Sequence, residues 1–160
     1  MARKSARATP LITAPACSIP CRTTISWCWS STPDANYGTF YSDNNADVRL
    51  YETAKSYKDL KIYGRTDKDA SWELIYDQKN TGQNISFRAF SADNRIVYFS
   101  KSEKEGPDGL YAYNFDSKDF KLVVRDKTVD PGRVMASPDN DAVYAVRFND
   151  GYPRYEVIDK

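Results

Sequence analysis

The residues in this sequence whose types and spacing could do chemistry are three cysteines and several paired carboxylates. Cys17, Cys21 and Cys28 all lie in the N-terminal segment, and the rest of the chain has no cysteine. Thiolates so grouped suggest zinc, but a structural site needs more ligands than this cluster supplies, and there is no histidine to complete it. Asp43-Asn44-Asn45-Ala46-Asp47 begins like a calcium loop. Val48 stands where the sharp turn requires Gly and Ala54 where the bidentate Glu belongs, so the segment reads as a turn. Asp139 and Asp141 could form an acid–base pair, yet aspartates close strands throughout this chain. A catalytic pair is needed once, whereas repetition fits turn capping.

Hydrolysis by a Ser-His-Asp triad requires an imidazole, and the chain has none. No G-x-S-x-G elbow, S-x-x-K pair, G-x-G-x-x-G fingerprint or P-loop occurs. Asn84-Ile85-Ser86 matches the N-glycosylation pattern, which matters only in a secreted eukaryotic chain. The expectation is therefore no catalytic, cofactor-binding or metal-binding residue, and no cofactor.

Such a chain must act through its surfaces, and the composition describes the elements that build them. The 160 residues are 41% hydrophobic, enough for a core, and include 12 Tyr and 7 Phe. Aromatic and β-branched residues favour half-buried strands, so the fold class is read as all-β. Lys and Arg number 23 against 22 Asp and Glu, interspersed, for a net charge of +1. That leaves no electrostatic footprint for nucleic acid or an anionic membrane. No run reaches the length of a bilayer span. Leu11 to Ala16, broken by Pro15, is short for a signal core, and the compartment, bacterial cytoplasm or periplasm, stays open.

A strand-turn-strand unit recurs along the chain. Ser91-Ala92-Asp93-Asn94 and Ser137-Pro138-Asp139-Asn140 lie 46 residues apart, and Val97-Tyr98 falls on Val143-Tyr144 at that same offset. Working back from strand ends, Lys61–Asp67 matches Leu110–Asp116 and Trp72–Asp77 matches Lys121–Asp126, each at 49. Units of this period are supersecondary blocks that bury their apolar faces on one another. In the second block the predicted strands are Ile85–Phe90, Arg95–Ser100, Leu110–Asp116 and Lys121–Asp126. Four short antiparallel strands fit one β-propeller blade. The expected domains are an irregular segment 1–36 and a partial β-propeller of about two to three four-stranded blades over 37–160, with blades near 37–78, 85–126 and an incomplete 133–160. Lys79 to Asn84 is read as an inter-blade linker and Lys101 to Gly109 as an exposed hairpin end.

The repeats resemble the N-terminal β-propeller of serine peptidases of the prolyl oligopeptidase family, in the dipeptidyl and acylaminoacyl peptidase-like branch. The likeness is carried by S-A-D-N-R-I-V-Y-F-S (Ser91–Ser100), G-L-Y-A-Y-N-F-D (Gly109–Asp116) and K-L-V-V-R-D (Lys121–Asp126). It continues through V-D-P-G-R-V-M-A-S-P-D-N-D-A-V-Y-A-V-R-F (Val129–Phe148) and Y-P-R-Y-E-V-I-D (Tyr152–Asp159). It covers roughly residues 37–160, most strongly from 85 onward. The resemblance implies a propeller that caps an α/β-hydrolase domain and filters peptide substrates by size, with the catalytic Ser, Asp and His in that other domain. The glutamate pair by which that branch holds a substrate amine has no matching motif here, so no site residue carries over.

The expected function is thus a non-catalytic propeller segment of a serine peptidase, its partners the hydrolase domain of the parent and peptide substrates. The alternative is a stand-alone Tol- or WD40-like module for protein or peptide binding. The third block stops one strand short, which reads as a truncated chain with open blade edges prone to self-association. Residues 1–36, with Arg3, Lys4 and Arg7 in a solvated tail, differ in composition from the repeats and read as foreign to them, even as an upstream misreading of the coding sequence.

Overall fold

The computed structural model describes residues 38–139 and 141–158. The readings made for 1–36, including the three cysteines and the basic tail, fall outside the described residues.

Among the described residues eleven strands and one short helix follow in order: β1 (Gly38–Ser42), β2 (Val48–Ala54), β3 (Leu60–Gly64), β4 (Glu73–Asp77), α1 (Gln78–Thr81), β5 (Ile85–Phe90), β6 (Ile96–Lys101), β7 (Gly109–Asn114), β8 (Asp119–Arg125), β9 (Val134–Ala136), β10 (Val143–Asn149) and β11 (Pro153–Val157). The chain is all-β. Its strands form three antiparallel sheets, β1-β2-β3-β4, β5-β6-β7-β8 and β9-β10-β11, each in plain sequence order. Every neighbour within a sheet is therefore also a neighbour in sequence, joined by a hairpin.

Hairpin chemistry explains the turns. Asn94 adopts φ 57°, a left-handed conformation that asparagine tolerates, and donates its N–H to the Ser91 carbonyl at 2.9 Å. The Ser91 hydroxyl donates to Asp93 Oδ1 at 2.6 Å and accepts the Ile96 N–H at 3.0 Å. A turn with the same left-handed third step precedes β2, where Ala46 (φ 64°) donates its N–H to the Asp43 carbonyl at 3.0 Å. Asp43-Asn44-Asn45-Ala46 is thus a copy of the turn, hidden in the sequence because Asp replaces Ser and Ala replaces Asn.

The ladders also revise one alignment. In the hydrogen-bonded register Ile62 pairs with Tyr76 and Leu110 with Val124, so the first two sheets superpose at an offset of 48 rather than the 49 read from sequence. Both pairs of strands slip by one residue just after these positions, which makes Ile75 and Val123 equivalent bulges. Asp77 ends β4, whereas Asp126 lies just beyond β8. Matching the two aspartates moved the alignment by one residue and with it every side chain to the opposite face.

Two apolar clusters join the sheets. Leu50, Ile62 and Tyr76 of the first sheet pack with Phe90, Val97, Phe99 and Tyr113 of the second. Leu110 and Val124, on the other face of the second sheet, pack with Val146 and Phe148 of the third. Each sheet thus buries its apolar side chains against the next one in the chain. Tyr76, Phe99 and Tyr113 meet around Phe120, with ring centroids 6.1, 5.9 and 4.9 Å from it, a geometry that favours edge contacts.

Residues 79–84, read as a linker, belong with Gln78 to a fixed turn. Asp77 caps α1 by accepting the Lys79 N–H at 2.9 Å, and Gly82 (φ 69°) closes it. Buried Gln78 accepts the Leu60 N–H at 3.1 Å and donates to Asn84 Oδ1 at 2.7 Å.

Candidate functional site

The residues singled out for chemistry are dispersed by the fold. Asp43 Oδ1 accepts the N–H groups of Asn45 and Asp47, and Oδ2 pairs with Arg49 Nη1 at 3.1 Å. Both oxygens face the protein's own donors, so the segment is a turn with an internal cation. Asp139 and Asp141 sit on the exposed turn before β10, where Asp141 is left-handed at φ 54°. Asn84 of the glycosylation triplet accepts from Gln78 and donates its backbone N–H to Ser102 Oγ at 2.7 Å. Among the described residues no three His, Cys, Asp or Glu side chains gather as a metal site, and every buried side-chain polar atom has a partner.

A concavity lies between the second and third sheets. The loop after β6 and the connection after β8 line a groove of about 740 Å³, open to solvent, whose walls include Pro107, Lys127, Thr128, Asp130, Gly132 and Asn149. Its shape is set by backbone bonding. The Asp108 N–H donates to Asp130 Oδ1 at 2.7 Å, tying the two segments together. Arg125 donates to the Pro107 carbonyl at 3.0 Å and to the Glu105 carbonyl. Gly132 donates its N–H to the Arg147 carbonyl at 2.9 Å, and a Cβ there would come within 2.8 Å of that oxygen, so only glycine lets the connection lie against β10.

Charge around the groove is arranged for structure. Asp126 accepts from the Thr128 N–H and hydroxyl, from Val129 N–H and from Arg154 Nη2 at 2.6 Å. The backbone bond from Thr128 and the bond from Arg154 hold its carboxyl below the usual carboxylate range. Asp108 moves the other way: burial raises it, the neighbouring Asp130 adds to the rise, and the Ser100 hydroxyl at 3.4 Å partly offsets them. The Tyr111 hydroxyl, which donates to Glu103, is pushed up to about 12 by burial and by that bond, so it stays protonated at neutral pH.

Among the described residues, the one hydroxyl–carboxylate pair at the groove wall is Thr128 with Asp126, at 2.9 Å, and the carboxylate is also bonded to Arg154. Lys127, Thr128, Asp130 and Asn149 are exposed and offer hydrogen bonds of both senses. Sequence reading placed the hairpin end 101–109 correctly on a turn but passed over 127–132, because those residues belong to neither predicted blade. Pro131-Gly132 was the available signal for a tight connection. No protein-family model matches the chain, and comparison with curated proteins and with solved structures finds no match.

Proposed function

We propose that this chain is a non-catalytic β-propeller segment of a prolyl oligopeptidase-like serine peptidase, its sheets being successive blades that restrict the access of peptides to a hydrolase domain. The observation that carries the reading is the serial packing of the three sheets. Each is an antiparallel meander in sequence order, and each shares an apolar cluster with the next, as blades of a propeller do. The lack of histidine across the full sequence supports a role in binding rather than turnover.

A stand-alone peptide-binding module is the second reading, favoured by the open polar groove between the second and third sheets. The coding sequence downstream of the Lys160 codon separates the two. A G-x-S-x-G elbow followed in order by Asp and His supports the peptidase; further S-P-D-N blades ending at a stop codon support the module. In either case the purified chain should release no nitroaniline from aminoacyl or dipeptidyl nitroanilides. Turnover that persists through repeated purification would overturn the non-catalytic reading.

A further inference from the structure

Loop 102–108 and the connection 126–132 wall the groove between the second and third sheets. Each is fastened on its own side. Arg125 of β8 donates to the Pro107 and Glu105 carbonyls of the loop, while Gly132 on the connection donates its N–H to the Arg147 carbonyl of β10. The bond that joins the two walls runs from the Asp108 N–H to Asp130 Oδ1, at 2.7 Å. It sets one carboxylate against the backbone of a residue that carries another, and like charges brought so near oppose the contact that joins them. The surroundings of Asp108 relieve this only in part. Its side chain is half-buried, and the hydroxyl of buried Ser100 on β6 stands 3.4 Å from Oδ2, beyond the ordinary O–H···O range. Arg88 of β5 attracts the carboxylate, whereas Glu103 of the loop, which accepts from the Tyr111 hydroxyl of β7, repels it. The Arg125 guanidinium is engaged by the loop carbonyls.

We propose that Asp108 and Asp130 form an acid-tightened latch across this groove, in which a single proton taken up by the Asp108 carboxyl draws the two walls together and restricts entry. Ionised, Asp108 can only accept hydrogen bonds and repels Asp130. Protonated, it becomes a donor, and the Asp130 carboxylate is an acceptor for a charge-assisted O–H···O bond that adds to the backbone one. The sign is opposite to that at Asp126. Burial and the Asp130 charge raise the folded Asp108 carboxyl above its ordinary value, so the latch's contribution is complete in the protonated form and is lost as pH rises through the folded value. The tightening therefore begins above the ordinary carboxylate range, whereas the loss at Asp126 lies below it. The two effects occupy separate windows. The latch rests on the groove walls and holds whether or not the sheets belong to a peptidase.

The test is a nuclear magnetic resonance titration of the full 160-residue chain, following the Asp108 carboxyl carbon, exchange of the Asp108 amide corrected for its intrinsic pH dependence, and relaxation of the Val129 methyl groups by a neutral gadolinium chelate. As the Asp108 carboxyl takes up its proton, protection of its amide should rise by about three- to tenfold, the fold-change of one net hydrogen bond. The half-buried Val129 methyls, which line the groove, should become less accessible over the same pH interval. Asp130→Asn keeps an acceptor for the amide but removes the charge, so the Asp108 carboxyl should titrate lower and the pH dependence of its protection should vanish. Glu103→Gln should keep that dependence. Asp108→Asn, a donor at every pH, should hold the groove closed throughout. An Asp108 amide whose protection stays flat or falls on protonation, Val129 methyls equally accessible throughout, an Asp130→Asn variant that titrates like the parent, or a pH dependence abolished by Glu103→Gln would each overturn the proposal.

Discussion

Arg49 is 6% exposed, and each of its three guanidinium nitrogens makes a hydrogen bond. Nε donates to the Arg65 carbonyl at 2.7 Å, Nη1 meets Asp43, Nη2 donates to the Asn94 carbonyl at 3.3 Å, and the plane lies 4.9 Å from the Phe115 ring. Asn44 adds its own bonds to Asn94 Oδ1 and the Ser91 carbonyl, at 3.1 and 3.0 Å. These bonds fasten the first turn to the second across two sheets. Removing one partner of a buried pair leaves the other uncompensated, so Arg49→Ala should destabilise the chain by roughly 3–5 kcal/mol, measured by urea unfolding. Asp43 was legible only as a turn residue; the bonds by which Arg49 and Asn44 reach the second turn were not, because their partners lie 45 to 50 positions away. Asp126 was legible as a strand-closing aspartate, since its bond to the N–H two residues on is local and repeats the bond Asp77 makes to Lys79. Its folded carboxyl titrates below the unfolded value, so its stabilisation is present above the ordinary carboxylate range and is lost as pH falls through that range toward the folded value. Thermal melts should therefore show stability declining with acidification below about pH 4, with a shallower decline in Asp126→Ala.

Among the elements, the turns carry the clearest signature and the sharpest lesson. The 46-residue spacing of the Ser91 and Ser137 turns was readable because identical residue types mark both. The ladder bonds from Ser91 N–H to the Ile96 carbonyl and from Ser137 N–H to the Ala142 carbonyl, each 2.9 Å, follow that spacing. The first turn read as a turn but not as a copy of the repeat, because Ala46 supplies the left-handed position that Asn94 fills in the second. Alanine pays a steric penalty there that glycine does not. Ala46→Gly should accordingly stabilise the chain by about 0.5–1 kcal/mol, net of glycine's greater unfolded freedom, whereas Ala112→Gly in the middle of β7 should destabilise it by a similar amount; chemical denaturation of the two variants gives the comparison. The bulges at Ile75 and Val123 were not legible, because an inserted residue leaves no local mark in a strand of alternating pattern. The offset of 49 arose instead from matching Asp77, the last residue of β4, with Asp126, one residue beyond β8, where paired core residues give 48.

For the molecule as a whole, stability depends on serial packing of sheets that each need the next. Phe99 serves the first junction and Phe148 the second, both fully buried. Phe99→Ala and Phe148→Ala should each cost roughly 3–5 kcal/mol, read as a fall in the denaturant midpoint. The repeat in the sequence made the stacking of consecutive sheets foreseeable. Which faces would meet was not, since that depends on the exact register. The central claim is that the sheets are propeller blades, which splay apart from their first strands to their last. Spin labels attached through noncanonical amino acids at exposed, equivalent sites can measure this: Thr39 with Ser86 on β1 and β5, and Leu74 with Leu122 on β4 and β8. Electron–electron double resonance should return a shorter distance for the first-strand pair than for the last-strand pair. Equal distances, as in sheets stacked without splay, would contradict the propeller reading.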